Sequence, residues 1–455
     1  MVVTWDEENA VHLLRRAGFG PRPADVAAAV KKGMTKTVAG LFKPWAKSDK
    51  LSKKPKVESL EDLQVWWMRR MLSTKSPLIE KMSLFWHNHF ATATSKVERL
   101  PLMHLQNRTL RKHAVGKFST LCLEMARDPA MVIWLDNISN IASDPNENFA
   151  RELMELFTTG VLDQLGQPNY TEQDVQESAR AFTGWTLDDK YKFVFDADNH
   201  DFGPKTFRGQ TANFDGTDIV ALLVVDPATA RRLAWKLWSY FAYETTLDDP
   251  VLDSIAAEYL ASGTSIAATL KAVFAKDEFY ATTAKRARVK SPAELVVGAL
   301  RQLGAKISNS DTGVYEASNA MTSLGQPIFE PPTVFGWKEG LHWISTNGML
   351  ERLRVAETIA DARKSEGAGF QWNPAKLLGP KKKQAALTAT QVVEMVLAAL
   401  SLDAPLPATV STLESYLQTD ENGQTVTFFV DPASIDVKVR GLVALILSSP
   451  EYQLA

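Results

Sequence analysis

Apolar residues recur at helical spacing along most of this chain, and that periodicity narrows its fold more than any other feature. Over 60–72, Leu63, Trp66, Trp67, Met71 and Leu72 form a stripe close to i, i+3, i+4. Over 78–90, Met82, Phe85, Trp86 and His89 fall at i, i+3, i+4 and i+7, one face of a strongly aromatic helix. The start and stop signals agree. Ser76 stands as a cap before Pro77, Thr171 precedes a helix over 172–182, and Ser291, Pro292 and Glu294 make a capping box with proline at its first helical position. Gly18 and Gly20 stop a first helix over 6–16. The pattern breaks from 186 to 215, where KYKFVFDADNHDFGPKTFRG alternates polar and apolar residues and turns through Gly203 and Pro204. A short β-hairpin or a long structured loop is predicted there, the kind of segment that often carries function. The predicted class is mainly α, a multi-helix globular bundle with one irregular insertion near 186–215.

The 455 residues exceed the roughly 250–300 at which a single core tends to divide. The expected division is a main helical domain over 1–366, a Gly-, Pro- and Lys-rich linker over 367–386, and a small helical unit over 387–455 packed on the main domain. Charge is balanced, with 51 basic against 53 acidic residues, which argues against nucleic acid as a partner. The densest basic run, Lys381–Lys383, reads as a solvated connector. The single cysteine, Cys122, excludes an internal disulfide and a cysteine zinc cluster, and its apolar surroundings suit an inert thiol. No window approaches the ~20 apolar residues of a membrane span. The N-terminus has no basic start followed by an apolar run. A cytoplasmic location is expected on that basis, and an envelope or secreted one if a leader was trimmed.

Candidate chemistry is concentrated between Trp86 and Lys205, in three clusters. In NFARELMELF, Asn148, Glu152 and Glu155 lie at i, i+4 and i+7 on one helix face, opposite Phe149, Leu153, Leu156 and Phe157. Two carboxylates one turn apart can divide acid and base roles or hold a hard metal. Arg151 beside them suits an anionic substrate or a structural ion pair. In WHNHF, His87 and His89 point about 200° apart on a helix. His89 shares the aromatic stripe and reads as packed, which leaves His87 the freer for a ligand. In NHDFGPK, His200 and Asp201 sit in a loop before a Gly-Pro turn, with Lys205 and Arg208 nearby as anion binders. Histidine with Asp and Glu is the ligand set of zinc, iron or manganese sites, so His87, Glu152, Glu155, His200 and Asp201 are the candidate metal set and a divalent metal the candidate cofactor. Trp337, in the Pro-rich aromatic loop PIFEPPTVFGWKEG, is a candidate substrate platform. No Gly-x-Ser-x-Gly elbow, P-loop or His-Glu-x-x-His run occurs.

Seven segments in order resemble a bacterial family catalogued as "domain of unknown function 1800". They are HLLRRAGFGPRP at His12, FWHNHFAT at Phe85, NENFARELMELFTTGV at Asn146, YTEQDVQESARAFTGW at Tyr170, HDFGPKTFRG at His200, KSPAELVV at Lys290, and PPTVFGWKEGLHWIS at Pro331. The resemblance spans essentially the whole chain. It implies a large, mainly helical protein, and a partner drawn from another uncharacterised family, "domain of unknown function 1501", whose members resemble phosphatases and sulfatases. Many relatives carry an export signal. Family members often have histidine where this chain has Phe157, which weakens a metal cage built on that helix alone. The resemblance carries over no reaction.

Two main expectations follow. The first is a hydrolase acting on a glycan or an ester, metal-assisted or not, with Glu152, Glu155, His200 and Asp201 as the reacting groups and His87, Asn148, Arg151, Lys205 and Trp337 binding the substrate. The second is a non-catalytic helical scaffold that presents the loop 329–343 to a protein or polymer. An anion-binding protein using Arg151, Lys205 and Arg208 is a third. Burial discriminates: ionised Glu152 and Glu155 in a cleft with no arginine partner support a site, and carboxylates fully paired with Arg151 or Arg180 support the scaffold.

Overall fold

The computed structural model describes residues 3–43, 57–307, 312–363 and 370–455. The architecture is mainly helical, as the periodicity predicts. In chain order the elements that build the site begin with α1 (Glu7–Arg16), α2 (Leu60–Ser73) and α3 (Pro77–His89). A short α4 (Asn148–Glu152) widens directly into a π-helical turn over Leu153–Phe157, and α5 (Glu172–Ala181) follows. The two hairpins come next. After them lie α6 (Pro227–Phe241) and α7 (Pro292–Gln302), then α8 (Thr346–Asp361), α9 (Ala389–Ala399) and α10 (Arg440–Ser448).

The caps read at Thr171 and Ser291 form, and Asp6, read as the first residue of its helix, is its cap instead. Asp6 accepts the Asn9 N–H ahead of α1, Thr171 accepts the Asp174 N–H ahead of α5, and Ser291 with Glu294 closes a reciprocal capping box on α7. Ser76 differs. Its hydroxyl donates to the Lys43 carbonyl and leaves the start of α3 to Pro77.

The insertion near 186–215 is two hairpins rather than one. Strands β1 (Trp185–Leu187) and β2 (Phe193–Phe195) pair antiparallel with Trp185 opposite Phe195. Strands β3 (Lys205–Phe207) and β4 (Gln210–Ala212) pair with Lys205 opposite Ala212. A third two-stranded ladder joins β5 (Lys306–Ile307) to β6 (Phe370–Gln371). Of the segment expected as a linker, 367–369 lies outside the described residues. Its remainder carries β6, buries Trp372 and Leu378, and exposes the three lysines 381–383 on a short helix.

Two apolar cores divide the molecule. One gathers Trp86, Phe90, Phe118, Phe157, Phe182 and Trp238. The other gathers Trp67 and Leu84 with Val296, Leu300, Val392 and Val443, so α7, α9 and α10 share one interior. Helix α3 lies between them. It sends Phe85, Trp86 and Phe90 into the first core and Leu84 into the second, so it has no solvated face of the usual amphipathic kind. Cys122 is buried in the first core, and burial pushes its thiol up to about 12, which makes it unreactive.

Packing leaves no room for a side chain where α7 passes under the turn after α1. A Cβ on Gly298 would lie 2.4 Å from the Phe19 carbonyl oxygen, a backbone atom that a side-chain rotation cannot move. Gly298→Ala is therefore expected to destabilise the chain by about 1–3 kcal/mol, the usual cost of overpacking a well-filled interior. Urea unfolding followed by tryptophan fluorescence measures it.

Candidate functional site

The carboxylate cluster forms on the α4 helix and its π turn. Glu152 and Glu155 are both half-buried. Glu152 Oε2 is shielded from solvent and has no hydrogen-bond partner. Burial first, then the neighbouring Glu155 charge, pushes Glu152 up to about 7, while Arg151 pulls the other way. The Tyr170 hydroxyl lies 3.5 Å from Glu155 Oε2. The widened turn re-aims the side chains that follow it, a device common at functional sites.

Arg232 acts on Glu155 through its charge, while the two arginines expected from sequence bond other acids. Arg151 donates to Glu147 at 2.7 Å and to Glu172 at 2.6 and 2.9 Å. Arg180 donates to Asp201 at 2.7 Å and to Glu177 at 2.8 Å. Neither bonds Glu152 or Glu155. Asn148 also turns away, donating to Asp136 at 3.2 Å. Its amide is thus engaged outside the carboxylate pair, although it stands four residues before Glu152 on the same helix.

The raised pKa of Glu152 has a thermodynamic consequence. The folded chain holds this proton more tightly than the unfolded chain, whose glutamate titrates near 4.5. Its contribution to stability is complete below about pH 4.5 and is lost as pH rises to about 7. Glu152→Gln is expected to remove that slope. Near pH 8 the variant should be more stable than the parent by about 1–2 kcal/mol, a figure discounted for partial solvent screening. Unfolding midpoints collected across this pH window check it, and an unchanged slope would place the proton on another group.

Both histidines of WHNHF are buried: His89 packs among aromatic rings as the helical wheel has it, and the correction falls on His87. His87 packs against Trp67, Phe329 and Trp337, and its Nε2 accepts the Phe329 N–H at 3.1 Å. Burial holds it down to about 3, so it is neutral and already bonded. His89 borders a cleft instead. The reason is the position of α3 between two cores: the face opposite the aromatic stripe is covered by α2 and the 329–337 loop.

The loop cluster satisfies itself. His200 Nδ1–H donates to the Thr183 carbonyl at 2.8 Å, with the ring against Phe195 and Phe202. Asp201 pairs with Arg180, whose hydrogen bond holds its carboxyl below the ordinary value. Lys205 is buried and donates to the carbonyls of Asp201 and Gly203. Arg208 pairs with Asp226. Arg151, Lys205 and Arg208 thus have partners already and do not converge as an anion site. His87, Glu152, Glu155, His200 and Asp201 likewise do not assemble into a metal centre: among the described residues no three His, Cys, Asp or Glu are placed to hold one ion.

The sequence reading missed a cleft of about 410 Å³ between α3, α6 and the loop 335–342. This is within the range of small-molecule sites. Lys236, Ser239, Trp337, Glu339 and His89 line it. Trp337, the aromatic platform expected from sequence, forms part of its wall with its indole N–H unpartnered. The loop 329–343 is not an exposed aromatic surface as a whole. Phe329, Trp337 and Trp343 are buried, and Phe335 and Leu341 face out. Asn88 pins the loop by accepting the Trp337 N–H at 2.6 Å. Gly336, at φ +77°, allows the approach: a Cβ there would fall 2.1 Å from Asn88 Oδ1.

Besides Arg288, the cleft is lined by one lysine, Lys236. Burial, then Arg232 one turn earlier on α6, holds it well below the ordinary lysine value. Burial, then Lys236 and Arg232, does the same to His89. Arg232, Lys236 and Ser239 stand at i, i+4 and i+7 on an otherwise aromatic helix, a polar stripe that was the available sequence signal.

Fold and site together define a mainly helical protein with a carboxylate pair that Arg151 and Arg180 do not bond, and a polar, aromatic-walled cleft. The chain belongs to the family described as protein of unknown function (DUF1800), whose family model matches residues 12–454. No curated protein and no solved structure matches it. Among the described residues, no helix is long and apolar enough to cross a membrane.

Proposed function

We propose that this protein is a hydrolase acting by carboxylate acid–base chemistry on a glycan or ester, with Glu152 as general acid and Glu155 as general base or nucleophile. One observation carries the reading: Glu152 keeps a shielded carboxylate oxygen without a hydrogen-bond partner, while both candidate arginines bond other acids. A structural carboxylate would be paired. Glu152 titrates near 7 and so carries a transferable proton at neutral pH. In the reaction it gives that proton to the leaving oxygen, and Glu155 takes one from the attacking water or attacks directly. A metal-assisted version has two carboxylate ligands from this cluster and lacks a third among the described residues, so it is not carried further.

The test is a panel of chromogenic esters and glycosides assayed with the full chain, with Glu152→Gln and Glu155→Gln alongside. Turnover in the parent that both variants lose supports the reading. No turnover on any substrate, or variants as active as the parent, overturns it. The family resemblance supports one partner, a "domain of unknown function 1501" protein, and co-purification with that protein is the corresponding check. An envelope or secreted location rests on the same resemblance.

A further inference from the structure

The cleft holds an arrangement that the carboxylate reading leaves unused. Lys236 Nζ has two partners, His89 Nδ1 at 3.1 Å and the Leu156 carbonyl at 3.4 Å. Both are acceptors. His89 Nε2 lies 3.1 Å from the Phe157 carbonyl, and a carbonyl only accepts. Nε2 therefore carries the ring proton and Nδ1 presents its lone pair to the lysine.

No carboxylate is bonded to Lys236 among the described residues, and the nearest formal charge acting on it is the cation Arg232. An ammonium in this place has no bonded counter-charge among the described residues. A neutral amine fits it fully: its two N–H groups go to the two acceptors, and the lone pair occupies the remaining tetrahedral direction. The side chain is half-buried and lines the cleft, so that direction is open to a ligand. Two shielded groups in the same walls, Ser239 Oγ and Trp337 Nε1, have no hydrogen-bond partner. Both can donate to an oxygen of whatever enters. The titratable groups facing the amine are His89 on α3, Arg232 and Tyr240 on its own helix, Arg288 and Glu244 on neighbouring segments, and Glu339 and His342 on the loop.

We propose that Lys236 is the nucleophilic amine of a carbonyl-binding site, which takes a small polar aldehyde or ketone as a Schiff base, with His89 positioning the amine and relaying its proton. The amine lone pair attacks the carbonyl carbon, forming the C–N bond as the C=O π pair moves to oxygen. His89 Nδ1 accepts an N–H proton, and the alkoxide takes a proton from water to give the carbinolamine. The proton returns from His89 to the departing hydroxyl, the C–O bond breaks, and water leaves as the C=N bond forms. The remaining iminium proton is lost to solvent, so amine and carbonyl give imine and one water. A desolvated lysine beside another cation is the known way to keep such an amine unprotonated. This site goes beyond the carboxylate reading and shares no reacting residue with it.

The experiment treats the full chain with glyoxylate and cyanoborohydride near pH 7, then locates the carboxymethyl adduct by peptide mass spectrometry. Lys236 is expected to be labelled at least tenfold faster than the exposed Lys381, Lys382 and Lys383 in the same sample. That ratio should shrink by about tenfold for each pH unit of increase, because only the exposed amines gain neutral form. In His89→Gln the Lys236 rate should fall and its pH dependence should approach that of the exposed lysines. Exposed lysines labelled as fast as Lys236, or no adduct on Lys236, overturns the site. An unchanged rate and pH profile in His89→Gln overturns the part given to His89.

Discussion

Glu294→Ala is expected to lower the unfolding free energy by about 3–5 kcal/mol, the usual loss when one member of a buried ion cluster is removed. Glu294 sits on α7 beneath the cleft. Its Oε1 lies 2.7 Å from Lys81 Nζ and 3.7 Å from Arg288 Nη1, and its Oε2 accepts the Ser291 N–H at 2.8 Å. Burial alone would raise its pKa, but Lys81 and Arg288 outweigh burial and hold it well below the ordinary value. The cations around it are deep. Lys81 is fully buried between the rings of Tyr240 and Phe241, with the Gly18 carbonyl at 2.9 Å, and Arg16 is fully buried beside the Ala242 and Ala284 carbonyls. Truncating Glu294 strands Lys81 without a bonded carboxylate and leaves Arg288 only Glu339, at 3.5 Å. It also removes half of the α7 capping box, itself worth about 1 kcal/mol. Urea unfolding at neutral pH measures the loss. A change below about 1 kcal/mol would mean that water relaxes into the cluster and screens it. The stabilisation from Glu294 is present above the unfolded glutamate range and is lost as pH falls through its depressed folded value.

The second large effect is on turnover. Glu152→Gln and Glu155→Gln are each expected to lower kcat by about 10²–10⁴, the range that a positioned general acid or base contributes. The two variants should differ in pH dependence. Removing Glu152 removes the limb of the profile that falls near pH 7, since its protonated form is the active one. Removing Glu155 takes away the charge that helps to raise Glu152, so the falling limb of any residual activity moves to lower pH. Profiles that lose turnover equally but keep the same limb would assign the acid to another group.

Much of the helical framework could be read from local sequence, and the caps at Thr171 and Ser291 form where the residue types place them. The break near 186–215 was legible too, because a period of 2 replaced one of 3.6. Its two hairpins were not separable, since nothing local says which strands pair. The carboxylates of Glu152 and Glu155 were named from spacing alone, but ideal spacing also recruited Asn148, which the structure gives to Asp136. Asn148 and Glu152 keep their i, i+4 spacing in the helix, but Asp136 on a preceding segment takes the amide, and local pattern carries no sign of that.

The histidines and the cleft show where local reading ends. Helical geometry correctly set His87 and His89 on different faces, but which face is open depends on what packs there. Trp67 and Phe329 close the His87 side, and the lysine of a helix some 150 positions away meets His89. Lys236 and Arg232 read as ordinary polar positions of an amphipathic helix, and only burial removes the counter-charges and water that a surface lysine would have. Sequence by itself therefore determined the elements, their caps and the residue types available for chemistry, because those depend on contacts within a turn or two. The tertiary structure alone decided which ionisable groups lie unpaired and which face a cavity, because desolvation and charge pairing are set by neighbours distant in the chain.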